Sequence, residues 1–230
     1  MFDLNDITAF LDDYLDVATF PEAERGGVYH LPDGEQPTVR RLGLMLEPVQ
    51  TLPDWIKAER LDALFLHRPW DANDLDVPII SYHLPFDERL TCGYNPRFAD
   101  MLGLDGLEVL GFKRDRPIGM IADIEPVALD DLLTRLEVSF GGLEARRINE
   151  GTVRRICVVG AISEKLVREA AEQGADLYIT GQLRAHAREA VAETGLNVVA
   201  IGHARSERWG LRALAGLLRE RFAGLEIISW

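Results

Sequence analysis

Short apolar runs, bounded by polar residues or glycine, alternate along this chain with stretches of helical periodicity. LGLML, opened by Val39, Arg40 and Arg41, reads as a buried strand, as do DALFLH from Asp62 and VPIISYH ending on His83. The same order returns later: ICVVGA opened by Val153, Arg154 and Arg155, then DLYITG from Asp176, then LNVVAIGH ending on His203. LPDWIKAERL and SEKLVREAAEQG lie between the first and second strands of each set and predict crossover helices; Ser163 suits an N-cap and Gly174 a C-cap. Residues 6–17 and 128–140 predict a helix ahead of each set. Behind each set, Leu211, Leu214, Leu217, Leu218 and Phe222 recur at helical spacing, and PRFADMLGL is a shorter counterpart. GLEVLGF (106–112) and GLEIISW (224–230) predict a strand closing each copy, and IGMIADI (118–124) an extra strand between them. The stretches 21–27, 32–37 and 141–151 predict loops.

The two sets agree in spacing as well as order. Asp62 follows Val39 by 23 positions, and Asp176 follows Val153 by the same 23. This agreement predicts an internal duplication: an α/β protein of two similar tandem α/β/α halves with mostly parallel sheets and a metal site between them. The halves are placed at 1–112 and 127–230, joined by a linker with the extra strand at 113–126.

Composition narrows the class. With 230 residues, 47% of them hydrophobic, the chain can bury a large core. No run approaches the roughly 20 apolar residues that span a bilayer, and MFDLNDITAF has neither the basic start nor the apolar centre of a signal peptide. Two cysteines, Cys92 and Cys157, stand far apart without a CxxC, which points to a reducing, cytoplasmic protein. A net charge of −13 repels nucleic-acid phosphates and anionic lipid, so neither nucleic acid nor membrane is an expected partner.

The chemistry gathers at strand ends. In α/β sheets ligands bind beyond the carboxyl ends of strands, and His67, His83 and His203 all stand where an apolar run stops. His83 and His203 are each followed four residues later by a carboxylate, Asp87 and Glu207. If the chain turns into helix there, this spacing puts both side chains on one face. Two imidazoles and two carboxylates assembled by a duplicated fold suit a divalent metal. Cys92 has no partner thiol nearby and is set aside as a ligand. Trp70 and Trp209 read as packing residues, and His30 as a surface residue.

LDALFLHRP, SYHLPFD, ADLYITGQLRAH and AIGHARSER together resemble the dinuclear-metal family of GTP cyclohydrolase type 2 homologues, also called Ngg-interacting-factor-like proteins. The resemblance covers most of the chain and is weakest over 1–38 and 113–152. It implies metal ligands at His67, His83, Asp87, His203 and Glu207 and one or two divalent ions (Zn, Mn or Fe) per chain. It also implies a ring-shaped homohexamer with its sites facing a central cavity, and a hydrolase acting on a small, nucleotide-like or phosphate-bearing substrate. The chain departs from the family's His-His-Pro at Arg68, because arginine stays protonated and cannot ligate a metal. Three readings of Arg68 stand open: a degraded second metal position, a cation clamping an anionic substrate group, or a side chain turned away onto Asp71 or Asp74. Gln182 replaces the acid that often follows the family's Ile-Thr-Gly. His186 keeps the family's position and reads either as a proton shuttle or as a surface histidine. The residues and the resemblance together leave two functions: a metal-dependent hydrolase using Arg68 or His186, or a non-catalytic metal-binding scaffold, hexameric as the resemblance implies.

Overall fold

The computed structural model describes residues 1–32, 37–149 and 151–230; the loops expected over 33–36 and at 150 lie outside them. The chain forms two compact units, Met1–Phe86 with Leu211–Trp230, and Asp87–Gly210.

The first unit is built on strands β1 (Gly27–His30), β2 (Arg41–Met45), β3 (Ala63–Leu66), β4 (Ile79–Ser81) and β11 (Glu226–Ser229), with helices α1 (Leu4–Tyr14) and α2 (Leu52–Glu59). Its sheet order is β11-β2-β3-β4-β1. All pairings are parallel except β1 with β4. On one face Leu52, Trp55 and Ile56 of α2 pack on Met45, Leu64, Leu66 and Ile79. Phe65 points to the other face, stacked on Tyr82 and tilted against Phe86. That alternation is what a fully covered parallel strand requires.

The second unit has strands β5 (Leu104–Val109), β6 (Gly119–Ala128), β7 (Ala145–Arg147), β8 (Thr152–Ala161), β9 (Leu177–Gln182) and β10 (Asn197–Ala200) in the order β7-β10-β9-β8-β6-β5. Ile156 and Val158 face one layer with α4 (Pro96–Leu102) and α5 (Leu129–Phe140). Cys157 and Val159 face the other, with α6 (Glu164–Glu172) and α7 (Arg188–Thr194). The result is an α/β/α sandwich. Ser163 caps α6 through a hydrogen bond from Leu166 N, and Gly174 follows at φ +80°, as the sequence predicts.

Two features differ from the sequence reading. Only β8-β9-β10 is parallel, and β5, β6 and β7 add antiparallel flanks. The closing strands are also exchanged. GLEVLGF contributes β5 to the second sheet, while GLEIISW contributes β11 to the first, beside β2. Apolar pattern locates a strand, but its pairing partner is a non-local choice.

Both units brace a parallel strand pair, β2 with β3 and β8 with β9, in the same way. Asp62 Oδ2 accepts from the backbone N–H of Arg40 (2.9 Å) and Arg41 (2.8 Å), and Asp62 N–H donates to Arg41 O at 2.9 Å. Asp176 Oδ2 accepts from Arg154 (2.7 Å) and Arg155 (3.1 Å), and its N–H donates to Arg155 O at 2.8 Å. Asp62→Ala and Asp176→Ala each leave two backbone donors without this acceptor, so each is expected to lower unfolding stability by about 1–3 kcal/mol. Chemical denaturation checks this, with Asn at either position recovering part of the loss.

Candidate metal centre

His67 directly follows β3, continuing the ladder with its N–H to Met45 O at 3.2 Å, and is fully buried. Its Nδ1 lies 3.3 Å from Tyr82 O. A carbonyl can only accept, so Nδ1 carries the proton and Nε2 the lone pair, the tautomer a metal ligand needs. Ser81 Oγ donates to His67 O at 3.2 Å, fixing the strand end further. Tyr82 is itself held from the other side, its hydroxyl donating to Asp12 Oδ1 at 2.6 Å. Burial, reinforced by Asp12, pushes this phenol's pKa up, so it remains a donor.

β4 runs beside β3 and ends just before Tyr82 and His83. The His67 and His83 rings meet edge to face, with centroids 4.8 Å apart. The chain then enters α3 (Leu84–Leu90), and Asp87 follows His83 by one helical turn. One donor atom each from His67, His83 and Asp87 lie within 4.8 Å of one another. Farther along α3, Glu88 accepts two hydrogen bonds from Arg116 (Nε to Oε2 and Nη2 to Oε1, both 3.1 Å), a bidentate clamp on a guanidinium only 1% exposed.

The second unit presents a related group. Backbone bonds from Ile201 to Thr180 O and from Gly202 to Gly181 O extend the parallel ladder beyond β10. Gly202 turns at φ +102°, and His203 opens α8 (His203–Arg221). His203 Nε2 lies 3.0 Å from Glu207 Oε1; the imidazole is 61% exposed and the carboxylate 1%. Asp87, His203 and Glu207 also bring one donor atom each within 4.8 Å of one another. Ligands about 2.0–2.2 Å from a zinc ion stand roughly 3–4.5 Å apart, so both groups suit an ion after small rotations. Imidazole nitrogen and carboxylate oxygen are also the donor chemistry of Zn, Mn and Fe sites.

A model of the family described as Duf34/NIF3 (NGG1p interacting factor 3) matches residues 70–229. The chain belongs to the Duf34/NIF3 family. A protein of Neisseria meningitidis serogroup B named GTP cyclohydrolase 1 type 2 homolog is 30% identical over 186 residues, covering 77% of this chain and 67% of that protein. A Pyrococcus abyssi protein of the same name is 26% identical over 94% of this chain and 93% of its own length. The solved structure of TTHA1606 from Thermus thermophilus is similar in fold, with a TM-score of 0.72 at 24% identity over 99% of this chain and 97% of that one.

Within this Duf34/NIF3 chain, the five residues expected as ligands all fall into the two donor groups. Arg68 leaves the strand end with its side chain 11% exposed, and its Nε donates to Glu47 Oε1 at 2.5 Å, a partner the sequence reading did not name. His186 sits in a single 3-10 turn, Ala185–Ala187, rather than inside a helix, and its Nε2 donates to Ile162 O at 3.2 Å. His30 is half-buried and bonded to Leu75 O. Trp209 packs against Phe98 and Phe140, as expected of a core residue. Trp70 does not: it is 60% exposed. Tyr82 and Arg116, which hold the ligand-bearing segments, escaped the sequence reading. The only local signal for Tyr82 is its place before His83, and Arg116 has none.

Cys92 lies buried beside this centre. Burial pushes its pKa up to about 12, a hydrogen bond with Ser206 opposes the shift, and the Asp87 charge adds to it. Cys157 is raised as well, again by burial. Both thiols are therefore protonated and shielded near neutral pH. Iodoacetamide at pH 8 is expected to leave native protein unlabelled and to modify both cysteines after denaturation, as intact-mass spectrometry would show.

Proposed function

We propose that this protein binds one or two divalent ions (Zn, Mn or Fe) through His67, His83, Asp87, His203 and Glu207, and that it is a metal-dependent hydrolase of a small molecule. The observation that carries the reading is that Asp87 belongs to both donor groups, so one carboxylate is suited to bridging two metal positions. The matched bracing by Asp62 and Asp176 supports the internal duplication. A divalent ion held there would supply Lewis acidity and a water acidified to about pKa 7. Around it, Tyr82 O orients His67, and Asp87 and Glu207 supply negative charge. His186 remains a proposed proton carrier, and Arg68 a proposed clamp for an anionic group. The relatives' name suggests a nucleotide substrate, and a homohexamer is proposed as the assembly.

The alternative, a non-catalytic hexameric metal-binding scaffold, is favoured by Arg68, which puts a Glu47-bonded cation where the family pattern has a second histidine. Elemental analysis of tag-free protein, with a panel of phosphoester and nucleotide substrates, separates the two. Metal with turnover supports the hydrolase, metal without turnover supports the scaffold, and no metal even after soaking with Zn²⁺ or Mn²⁺ removes both. Native mass spectrometry tests the hexamer, and a monomer would remove it.

His203→Ala and Glu207→Gln are each expected to lower metal content at least about tenfold, with the melting temperature of the stripped protein nearly unchanged. Metal uptake should also fall as pH drops, because the imidazole must be deprotonated to bind. Arg68→His is expected to raise metal content toward two ions per chain. Unchanged content would mean that more than this residue separates the chain from a dinuclear site.

A further inference from the structure

A cleft of about 500 Å³ opens in the first unit with His83 in its wall. That volume lies within the range of small-molecule sites. Trp70 and Tyr29, 60% and 41% exposed, supply aromatic surface, and the Trp70 ring stands perpendicular to the His83 ring with centroids 6.3 Å apart. Large aromatic side chains left in water around a concavity mark a binding surface rather than packing. The charged residues of the lining are Glu22 and Glu24, carried on a 3-10 turn, Glu22–Glu24. Among the described residues no lysine or arginine lines the cleft. Arg25 follows that turn, but its Nε donates to Phe20 O at 3.0 Å. Gly26 lets the acidic segment close on β4: at φ +81°, a Cβ there would lie 2.3 Å from Ser81 O.

We infer that this cleft selects the substrate of the centre proposed above, and that the substrate is a small aromatic or N-heterocyclic molecule bearing a positive charge, such as an amidine or protonated amine. The inference rests on that functional reading for the identity of the reacting end, which faces His83. The rest follows from the lining. A cation over an indole or phenol face is attracted by the ring quadrupole. Glu22 and Glu24 add negative charge to the lining, so the part of a ligand that meets them is favoured when it is positive.

Benzamidine, benzamide and benzoate are near-isosteric and differ in charge. They can be titrated, together with GTP, into the full-length metal-loaded protein by calorimetry, and again after chelator treatment. In the chelator-treated protein benzamidine is expected to bind at least about tenfold more tightly than benzoate. Trp70→Leu should weaken benzamidine about fivefold, and the Glu22→Gln, Glu24→Gln double variant should abolish the charge preference. All three positions are exposed, so these variants are expected to fold. In the chelator-treated protein, benzoate or GTP binding as tightly as benzamidine would overturn the inference, as would benzamidine affinity indifferent to Trp70 and to the two glutamates. Metal uptake without charge preference removes only this inference. Charge-selective binding without metal uptake removes only the metal reading.

Discussion

The parallel pairing of β3 with β4 is the constraint on which the candidate centre rests. The register Leu64 to Ile79 and Phe65 to Ile80 makes the two strands leave the sheet at one edge. His67 and His83 must then emerge side by side, and Tyr82 O arrives where it can hold His67 Nδ1–H. A slip of one residue would send every side chain of β4 to the opposite face and take that carbonyl away. The second unit meets the same need by prolonging the β9–β10 ladder to Gly202, just before the chain turns into α8.

Buried polar groups at these ends have partners. His203 faces a carboxylate that is almost wholly buried. An isolated buried carboxylate would be costly, and the contact with the His203 imidazole gives Glu207 a polar partner. Arg68 and Glu47 show the same economy at the end of β3, where a mostly buried guanidinium is matched by an acid.

Much of this was legible in the sequence because it is local. Apolar runs marked the central strands, Ser163 and Gly174 marked the ends of a helix, and histidines at strand ends marked the candidate ligands. What escaped was non-local. Nothing in GLEVLGF or GLEIISW says which sheet it joins, since strand pairing depends on edges built elsewhere in the chain. Glu47 as the partner of Arg68, Arg116 clamping Glu88 and Asp12 holding Tyr82 are likewise contacts made only after folding. Trp70 misleads for a related reason. Tryptophan usually packs, and its sequence neighbours do not reveal the cleft it overlooks.

The exchanged closing strands bear on how the protein is made. β11 is synthesised after the whole second unit, yet it completes the sheet begun by β2. While the ribosome works through residues 87–210, the outer edge of β2 offers unpaired N–H and C=O groups to any passing strand. The same delay gives newly made copies an interval in which one chain's β11 could insert into another's sheet, a route to domain-swapped assemblies that the finished molecule no longer offers.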